Sequence, residues 1–329
     1  MKKINWVQIR SKPYGGNVYR EELKKILEQK FDLTTNNIEA KYLRWRYLKP
    51  LEWFSRLLNL KGEADLWIRD DFFSLVALPF DRTKGKTLFL NHHIDFSVFP
   101  FFTRLVFVIL EKIFYRVLKK TDAIVTVSDY WEDYFLKKGY NNVFKIYNAF
   151  NVPEYNFQNE EIAKFKKKYN LEEKPIIYIG NCQRAKGVLE TYQALKDLDV
   201  YLVTSGERMV NIPTLNLVLE HRDYLKLLKA SSVVVAASKF KEGWCRTCHE
   251  AMLLKTPVIG SGLGGMKELL EGGKQIICPE FNLLREKVEY LLDRPEIRIK
   301  MGEAGHNFAK NFTLEKFKSD WLLLINKLL

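Results

Sequence analysis

The sequence predicts an α/β protein made of two doubly wound, Rossmann-like domains. Three observations carry that reading. Short apolar runs alternate with amphipathic helical patterns, and the alternation occurs twice. A polar stretch holding one proline, Asn148–Glu160 (NAFNVPEYNFQNE), separates the halves and reads as a hinge. The 329 residues suffice for two domains of ordinary size. Strands alternating with helices call for parallel sheets with right-handed crossovers, because each helix must return the chain to the same edge of its sheet.

In the first half the strand candidates are Ile4–Ile9, Ala64–Ile68, Thr87–Leu90, Ala123–Val127 and Val143–Ile146. Helical periodicity falls at Val18–Glu28, Leu51–Asn59 and Trp131–Lys138. In the second half the strands are Ile176–Ile179, Val200–Val203, Leu215–Leu219, Val233–Ala237, Val258–Gly260 and Gln275–Ile277. The helices there are Leu189–Leu195, Tyr224–Ala230, Glu250–Leu254, Met266–Leu270 and Leu283–Leu292. The stretch Leu314–Leu329 is an amphipathic helix carrying Trp321, Leu322, Leu323 and Leu324. Domains are therefore expected at 1–154 and 155–310, with a terminal helix at 311–329.

Composition narrows the class. The chain has no low-complexity tract and no convincing repeat. Its start, MKKINWVQIRS, lacks a long apolar segment, so no signal peptide is expected. Four cysteines do not suggest a disulfide framework, and a cytoplasmic location is expected. The net charge of +13 fits a lysine-rich surface, an anionic lipid partner or a phosphorylated ligand. Nucleic acid is not an expected partner, because the basic residues are spread along the chain without a nucleic-acid module signature.

The stretch from Ser238 to Leu270 (SKFKEGWCRTCHEAMLLKTPVIGSGLGGMKELL) is the most informative. The apolar run Val233–Ala237 before it reads as a strand buried on both faces. Glu242 then lies in a loop at that strand's carboxyl end, and Glu250, after seven intervening residues, in the first turns of the next helix. Ligands bind at that edge of a parallel sheet, and a helix N-terminus there offers N–H groups to a phosphate.

This pattern resembles the donor site of the retaining GT-B glycosyltransferases of glycosyltransferase family 4. It is carried by Glu242, Gly243, Trp244, Glu250, Ala251, Pro257, Val258, Ile259, Gly264, Gly265 and Glu268. Weaker matches extend along the chain, at Pro13-Tyr14-Gly15-Gly16, Asp122–Ser128, Ile146-Tyr147-Asn148, Gly180 and Lys186-Gly187. The resemblance implies two domains facing across a cleft, with the acceptor on the N-terminal one and the donor on the C-terminal one. It also implies that the last helix packs back on the first domain.

The resemblance assigns roles. Glu250 would hold the ribose hydroxyls of the nucleotide, since a carboxylate accepts two hydrogen bonds from a vicinal diol. Glu242 would sit beside the donor sugar and stabilise positive charge at its anomeric carbon. Lys186 and Arg184 would stabilise the leaving nucleoside diphosphate without a metal. Where the family has arginine after the glycine this chain has Asn181, and Arg184 is expected to stand in for it. Gly15, Gly16, Gly180, Gly264 and Gly265 would let the backbone approach the donor, and Trp244, Cys245 and Arg246 complete the expected donor set. Cys245 replaces the family's usual glycine.

The run Cys245-Arg-Thr-Cys248-His249 also has haem-attachment and redox spacing. Haem attachment implies export, and the glutamate pattern accounts for the surrounding residues. Both cysteines are therefore expected to be small packed residues near the donor pocket.

His92 and His93 end the strand Thr87–Leu90 and could be a metal site, a catalytic base or polar loop residues. In the family a histidine here faces the donor sugar, and either residue could be it. Asp70-Asp71, at another strand end, is a weak metal motif.

Phe96–Lys120 is dense in phenylalanine and carries Arg104, Glu111, Lys112, Arg116, Lys119 and Lys120. The charges argue against a spanning helix. The segment is either an interfacial helix on an anionic membrane or a core helix with a basic outer face.

The expected activity is metal-independent, cofactor-independent transfer of a hexose, with retention, from a nucleotide diphosphate sugar to a glycan or lipid-linked acceptor, at the membrane's inner face if peripheral. A GT-B sugar-nucleotide epimerase or phosphorylase, or a non-catalytic partner subunit, are the alternatives.

Overall fold

A computed structural model describes residues 1–9, 15–42, 49–94 and 101–329. The chain divides into two compact units, Met1–Asn148 with Glu315–Leu329, and Ala149–Leu314.

The first unit runs β1 (Lys3–Ile9), α1 (Gly15–Glu28), β2 (Asp32–Ile38), α2 (Lys49–Leu58), β3 (Lys61–Arg69), α3 (Phe72–Val76), β4 (Arg82–Asn91), α4 (Phe101–Leu118), β5 (Ala123–Thr126), α5 (Asp129–Lys137) and β6 (Val143–Lys145). Its six strands lie parallel in the order β2-β1-β3-β4-β5-β6. The inner strands are apolar on both faces because helices cover both, and Trp6, Trp67, Leu88 and Ile124 are fully buried. β2 (DLTTNNI) escapes an apolar-run criterion for the opposite reason. It is an edge strand with only Ile38 buried, and its pairing with β1 is a backbone matter.

Arg69 is fully buried at the end of β3. Its guanidinium donates to the Ser74 carbonyl at 2.6 Å, Asp81 Oδ2 at 2.5 Å and Thr83 Oγ1 at 2.9 Å. These bonds, all made by the two terminal nitrogens, tie β3, α3 and the start of β4 together, and the Asp81 carboxylate offsets much of the cost of burying the charge. The chain's last helix also belongs to this unit. Trp321 donates its indole N–H to Tyr19 Oη at 3.1 Å, and Tyr19 donates to the Ile146 carbonyl at 3.1 Å.

The second unit begins with a 3-10 turn at Val152–Tyr155. It continues with α6 (Asn159–Lys168), β7 (Ile176–Asn181), a 3-10 turn at Arg184–Lys186, α7 (Val188–Leu195), β8 (Tyr201–Ser205), β9 (Leu215–Leu217) and α8 (His221–Ala230). Then come β10 (Val233–Ala236), α9 (Arg246–Leu253), β11 (Val258–Gly260), α10 (Met266–Gly272), β12 (Ile276–Ile277), α11 (Phe281–Leu292) and α12 (Pro295–Ala309); α13 (Leu314–Leu328) is the terminal helix already described. The sheet is again six parallel strands, in the order β12-β11-β10-β7-β8-β9. After β9 the chain crosses to the other side of β7 and lays down β10. The switch point of this sheet therefore falls between β7 and β10, where doubly wound sheets bind ligands.

The described elements refine several expectations and correct two element boundaries. The hinge Asn148–Glu160 holds the 3-10 turn and the first residues of α6. The helix carrying Glu250 starts at Arg246, four residues earlier than its apolar residues indicate. The strand Leu215–Leu219 ends at Leu217. In the Phe96–Lys120 segment, Phe114, Val117 and Leu118 are core residues, with Phe114 stacked on Phe72 at 5.0 Å. Val108 and Ile109, one to two turns earlier, are 48 % and 66 % exposed. That helix is thus core on one side and apolar towards solvent near its middle. Phe96–Pro100 and Pro13-Tyr14 lie outside the described residues. No helix is long and apolar enough among the described residues to cross a membrane.

Candidate functional site

The second unit gathers the predicted residues at its switch point. Lys186 ends the 3-10 turn after β7, and Glu242 lies in the loop after β10. Fifty-six positions apart, they meet: Lys186 Nζ donates to Glu242 Oε1 at 2.6 Å. Ser238 Oγ donates to the same oxygen at 2.5 Å. Burial opposes the Lys186 charge, but the Glu242 carboxylate beside it outweighs this and holds the ammonium above its ordinary pKa.

Two glycines make the meeting possible. Gly187 has φ +68°, and a Cβ on it would come within 2.2 Å of the Ala237 carbonyl oxygen. The loop after β7 can therefore approach the end of β10 only with glycine there. Gly264 has φ +69°, and its Cβ would lie 2.4 Å from the Glu242 carbonyl oxygen. It forms an isolated parallel bridge with Glu242, reinforced by Gly265 N–H donating to the Glu242 carbonyl at 2.9 Å. The downstream glycine pair thus clamps the Glu242 loop. Gly180 is the fifth residue of β7, and Asn181, which follows it, accepts from Ser205 Oγ at 2.8 Å.

Glu250 lies on α9, 4 % exposed, and Arg246 one turn earlier donates to its Oε1 at 3.3 Å. The Arg246 guanidinium sits over the Phe150 ring at 4.2 Å. Arg184 stands exposed on its 3-10 turn. Trp244 is turned inward and only 3 % exposed. Its indole N–H donates to His249 Nδ1 at 3.0 Å, so the His249 proton resides on Nε2 and is given to the Ala309 carbonyl at 3.0 Å. His249 stacks on Phe150 at 3.8 Å and is fully buried. Burial outweighs the Ala309 hydrogen bond and, with Arg246 nearby, depresses its pKa to about 3. His249 is a neutral internal clamp.

Cys245 occupies a left-handed backbone position, φ +62° and ψ +75°. A glycine at this point would sit there without penalty, whereas a residue with a Cβ is strained by about 1–2 kcal/mol. Cys245→Gly is therefore expected to stay within about 1 kcal/mol of the parent, because relieved strain offsets lost thiol burial and added chain entropy. Cys245→Val, β-branched at the same φ, should destabilise by about 2 kcal/mol or more. Urea unfolding of the two variants checks this, and equal midpoints would refute it.

In the first unit the two histidines separate. His92 is half-buried, edge-on to Tyr19 at 5.1 Å, and its Nε2 has no hydrogen-bond partner among the described residues. Burial, then Arg20 and His93, hold its pKa well below the ordinary value. His93 is exposed. Asp70 is taken up by Arg20 Nε at 2.8 Å and the Trp6 indole at 2.9 Å, and burial raises its pKa to about 6 despite both. Asp71 caps α3 through Phe73 N–H at 2.8 Å. The weak metal motif is thus an ion pair and a helix cap, and among the described residues no three His, Cys, Asp or Glu side chains converge. A polar cavity of about 230 Å³ lies at the ends of β1 and β2, lined by Gln8, Asn17, Arg20, Lys24 and Asn37 among others. Gly15 and Gly16 open α1.

Sequence reasoning missed Ser238 and the clamp role of His249. Ser238 could have been found, since it directly follows the strand and precedes Glu242 by four residues.

The fold is that of the GT-B glycosyltransferases. HepE from Anabaena, solved in complex with UDP-glucose, superposes with a TM-score of 0.77 over 99 % of this chain and 100 % of its own, at 18 % identity. Sucrose-phosphate synthase from Thermosynechococcus elongatus gives 0.80 over 100 % and 99 %, also at 18 % identity. Residues 159–308, nearly the whole second unit, match the family of glycosyl transferases group 1. An uncharacterized glycosyltransferase of Methanocaldococcus jannaschii is 27 % identical over 211 residues, 60 % of this chain and 57 % of that protein. The chain spans between 27 % and 58 % of the lengths of the curated relatives it matches.

Proposed function

We propose that the protein is a retaining glycosyltransferase of family 4, moving a hexose from a nucleotide diphosphate sugar to an acceptor hydroxyl without a metal. The observation that carries the proposal is the Lys186–Glu242 pair at the β7/β10 switch point, with Glu250 one helix turn inside α9. A UDP-sugar is the donor to try first, because HepE binds UDP-glucose.

In this reading Lys186 and Arg184 neutralise the departing diphosphate, with the positive end of α9 adding to them. Glu250 takes the ribose diol, and Arg246 keeps its carboxylate oriented. Glu242, freed from Lys186 as the diphosphate takes the ammonium over, faces the sugar ring. The acceptor attacks from the side of the leaving phosphate, which takes its proton. His92, held neutral by burial and with its buried Nε2 lacking a partner among the described residues, is in this reading the histidine that serves the sugar. The polar cavity beside β1 and β2 suits a hydroxylated acceptor. The exposed Val108 and Ile109, with Lys112 and Arg116 close by, support a peripheral hold on anionic membranes and thus a lipid-linked or surface-glycan acceptor.

Calorimetry with UDP tests the reading. Glu250→Ala should weaken UDP binding by about 1–3 kcal/mol, the cost of stranding a hydrogen-bonded diol. Turnover should survive excess EDTA. Unchanged UDP affinity in Glu250→Ala and Lys186→Ala, or a loss of turnover restored by manganese, would refute it.

A further inference from the structure

Between the two glutamates sits a second chemistry that the transferase reading does not use. Cys245 Sγ lies 3.2 Å from Cys248 Sγ. The two are joined by a single helical turn, Cys248 N–H donating to the Cys245 carbonyl at 3.1 Å. Both are reduced, and they differ in access, Cys245 being 8 % exposed and Cys248 fully buried. The other two cysteines, Cys182 and Cys278, lie on other elements. Facing thiols 3.2 Å apart at the start of a helix need only a short closure to form a disulfide. Cys245 holds a left-handed backbone conformation as the residue that precedes this helix.

We propose that Cys245 and Cys248 form a reversible disulfide that switches off the site between Glu242 and Glu250, with hydrogen peroxide as oxidant. Cys245 Sγ, the more accessible, attacks the peroxide, whose O–O bond breaks; a sulfenic acid and one water result. Cys248 Sγ then displaces the hydroxyl from Cys245 sulfur, and its proton leaves with that hydroxyl as a second water. Two thiols are oxidised by two electrons, and one peroxide is reduced to two waters. A disulfide needs about 2 Å between sulfurs, so closure draws the turn in by about 1 Å. A displacement of about 1 Å in a site built on this turn lowers turnover about a hundredfold. The loss of binding and turnover rests on the transferase reading; the disulfide itself does not.

The experiment uses the full chain treated with stoichiometric hydrogen peroxide, then unfolded for thiol titration and peptide mass analysis. The expected result is a drop from four thiols to two, with the peptide holding Cys245 and Cys248 lighter by two hydrogens. UDP affinity should fall about tenfold or more and return with dithiothreitol. Cys248→Ala should bind UDP as the reduced parent does and keep that affinity after oxidant and reductant. Four surviving thiols, a different pairing, or irreversible oxidation of Cys245 alone would overturn the proposal. A disulfide formed with UDP affinity unchanged would overturn the switch. Absence of UDP binding by the reduced protein would count against the UDP donor, with the thiol count still deciding the disulfide.

Discussion

Glu242→Gln is expected to lower turnover with the sugar donor by about a hundredfold or more, while the second unit keeps its fold. Glutamine preserves the shape, and its carbonyl oxygen can still accept from Ser238. It removes the charge that holds Lys186 at 2.6 Å and raises the lysine pKa. In the proposed reaction that charge has two uses. It poises the ammonium until the diphosphate arrives, and it then stabilises the positive anomeric carbon. Removing one preorganised electrostatic group of this kind typically costs about 2.7–4 kcal/mol of transition-state stabilisation. UDP should bind the variant at least as well as the parent, because Lys186 no longer has a competing partner. Turnover within about threefold of the parent, at unchanged UDP affinity, would remove Glu242 from the chemistry.

Acidification is expected to destabilise the second unit through His249, and His249→Phe should largely abolish that effect. His249 is neutral in the folded unit, with a pKa near 3 against about 6.5 when unfolded. The unfolded chain therefore takes up the proton first. The stabilisation is fully present above about pH 6.5 and is lost as pH falls towards 3, by roughly 5 kcal/mol at most. The part lost between about pH 6.5 and 5 is roughly 2 kcal/mol. Asp70, in the other unit, runs in the opposite direction, since burial raises its pKa to about 6. It favours the folded state as pH falls from about 6 to 4. For that reason the measurement is the difference between parent and His249→Phe at each pH, followed by urea unfolding. Phenylalanine strands the Trp244 N–H and the Ala309 carbonyl, so the variant should be less stable at pH 7 by about 2–4 kcal/mol. The gap should narrow towards pH 5. A gap independent of pH would show that His249 titrates alike in the folded and unfolded chain, and a gap that widens towards pH 5 would show that it carries its proton in the folded unit.

Much of the architecture was legible because both sheets are parallel and covered. Val233–Ala236 and Ile176–Ile179 must be apolar on both faces, so they stand out as unbroken runs. β2 did not stand out, since an edge strand held by backbone pairing needs no apolar side chains. α12 was hidden differently. Its Gly302 and Gly305 look like helix breaks in sequence, but a Cβ on Gly302 would lie 2.2 Å from the Lys255 carbonyl oxygen. Glycine there serves close approach, and only the partner reveals it.

The candidate site divides along the same line. The sequence by itself determined the two α/β units, the strand ends bearing Lys186 and Glu242, and the spacing that puts Glu250 on the following helix, because strand burial and helix periodicity are local properties. It also placed Gly264 near the donor, but the left-handed φ and close approach of Gly187 and Gly264 emerged only from the fold. Only the tertiary structure decided that β10 lies beside β7, which brings Lys186 onto Glu242 across fifty-six positions. The same packing turned Trp244 and His249 into a closed pair, gave Asp70 to Arg20, and distinguished half-buried His92 from exposed His93. Strand order is set by the crossover that follows β9, and burial by what each side chain meets afterwards; neither quantity is written in the spacing of residues along the chain.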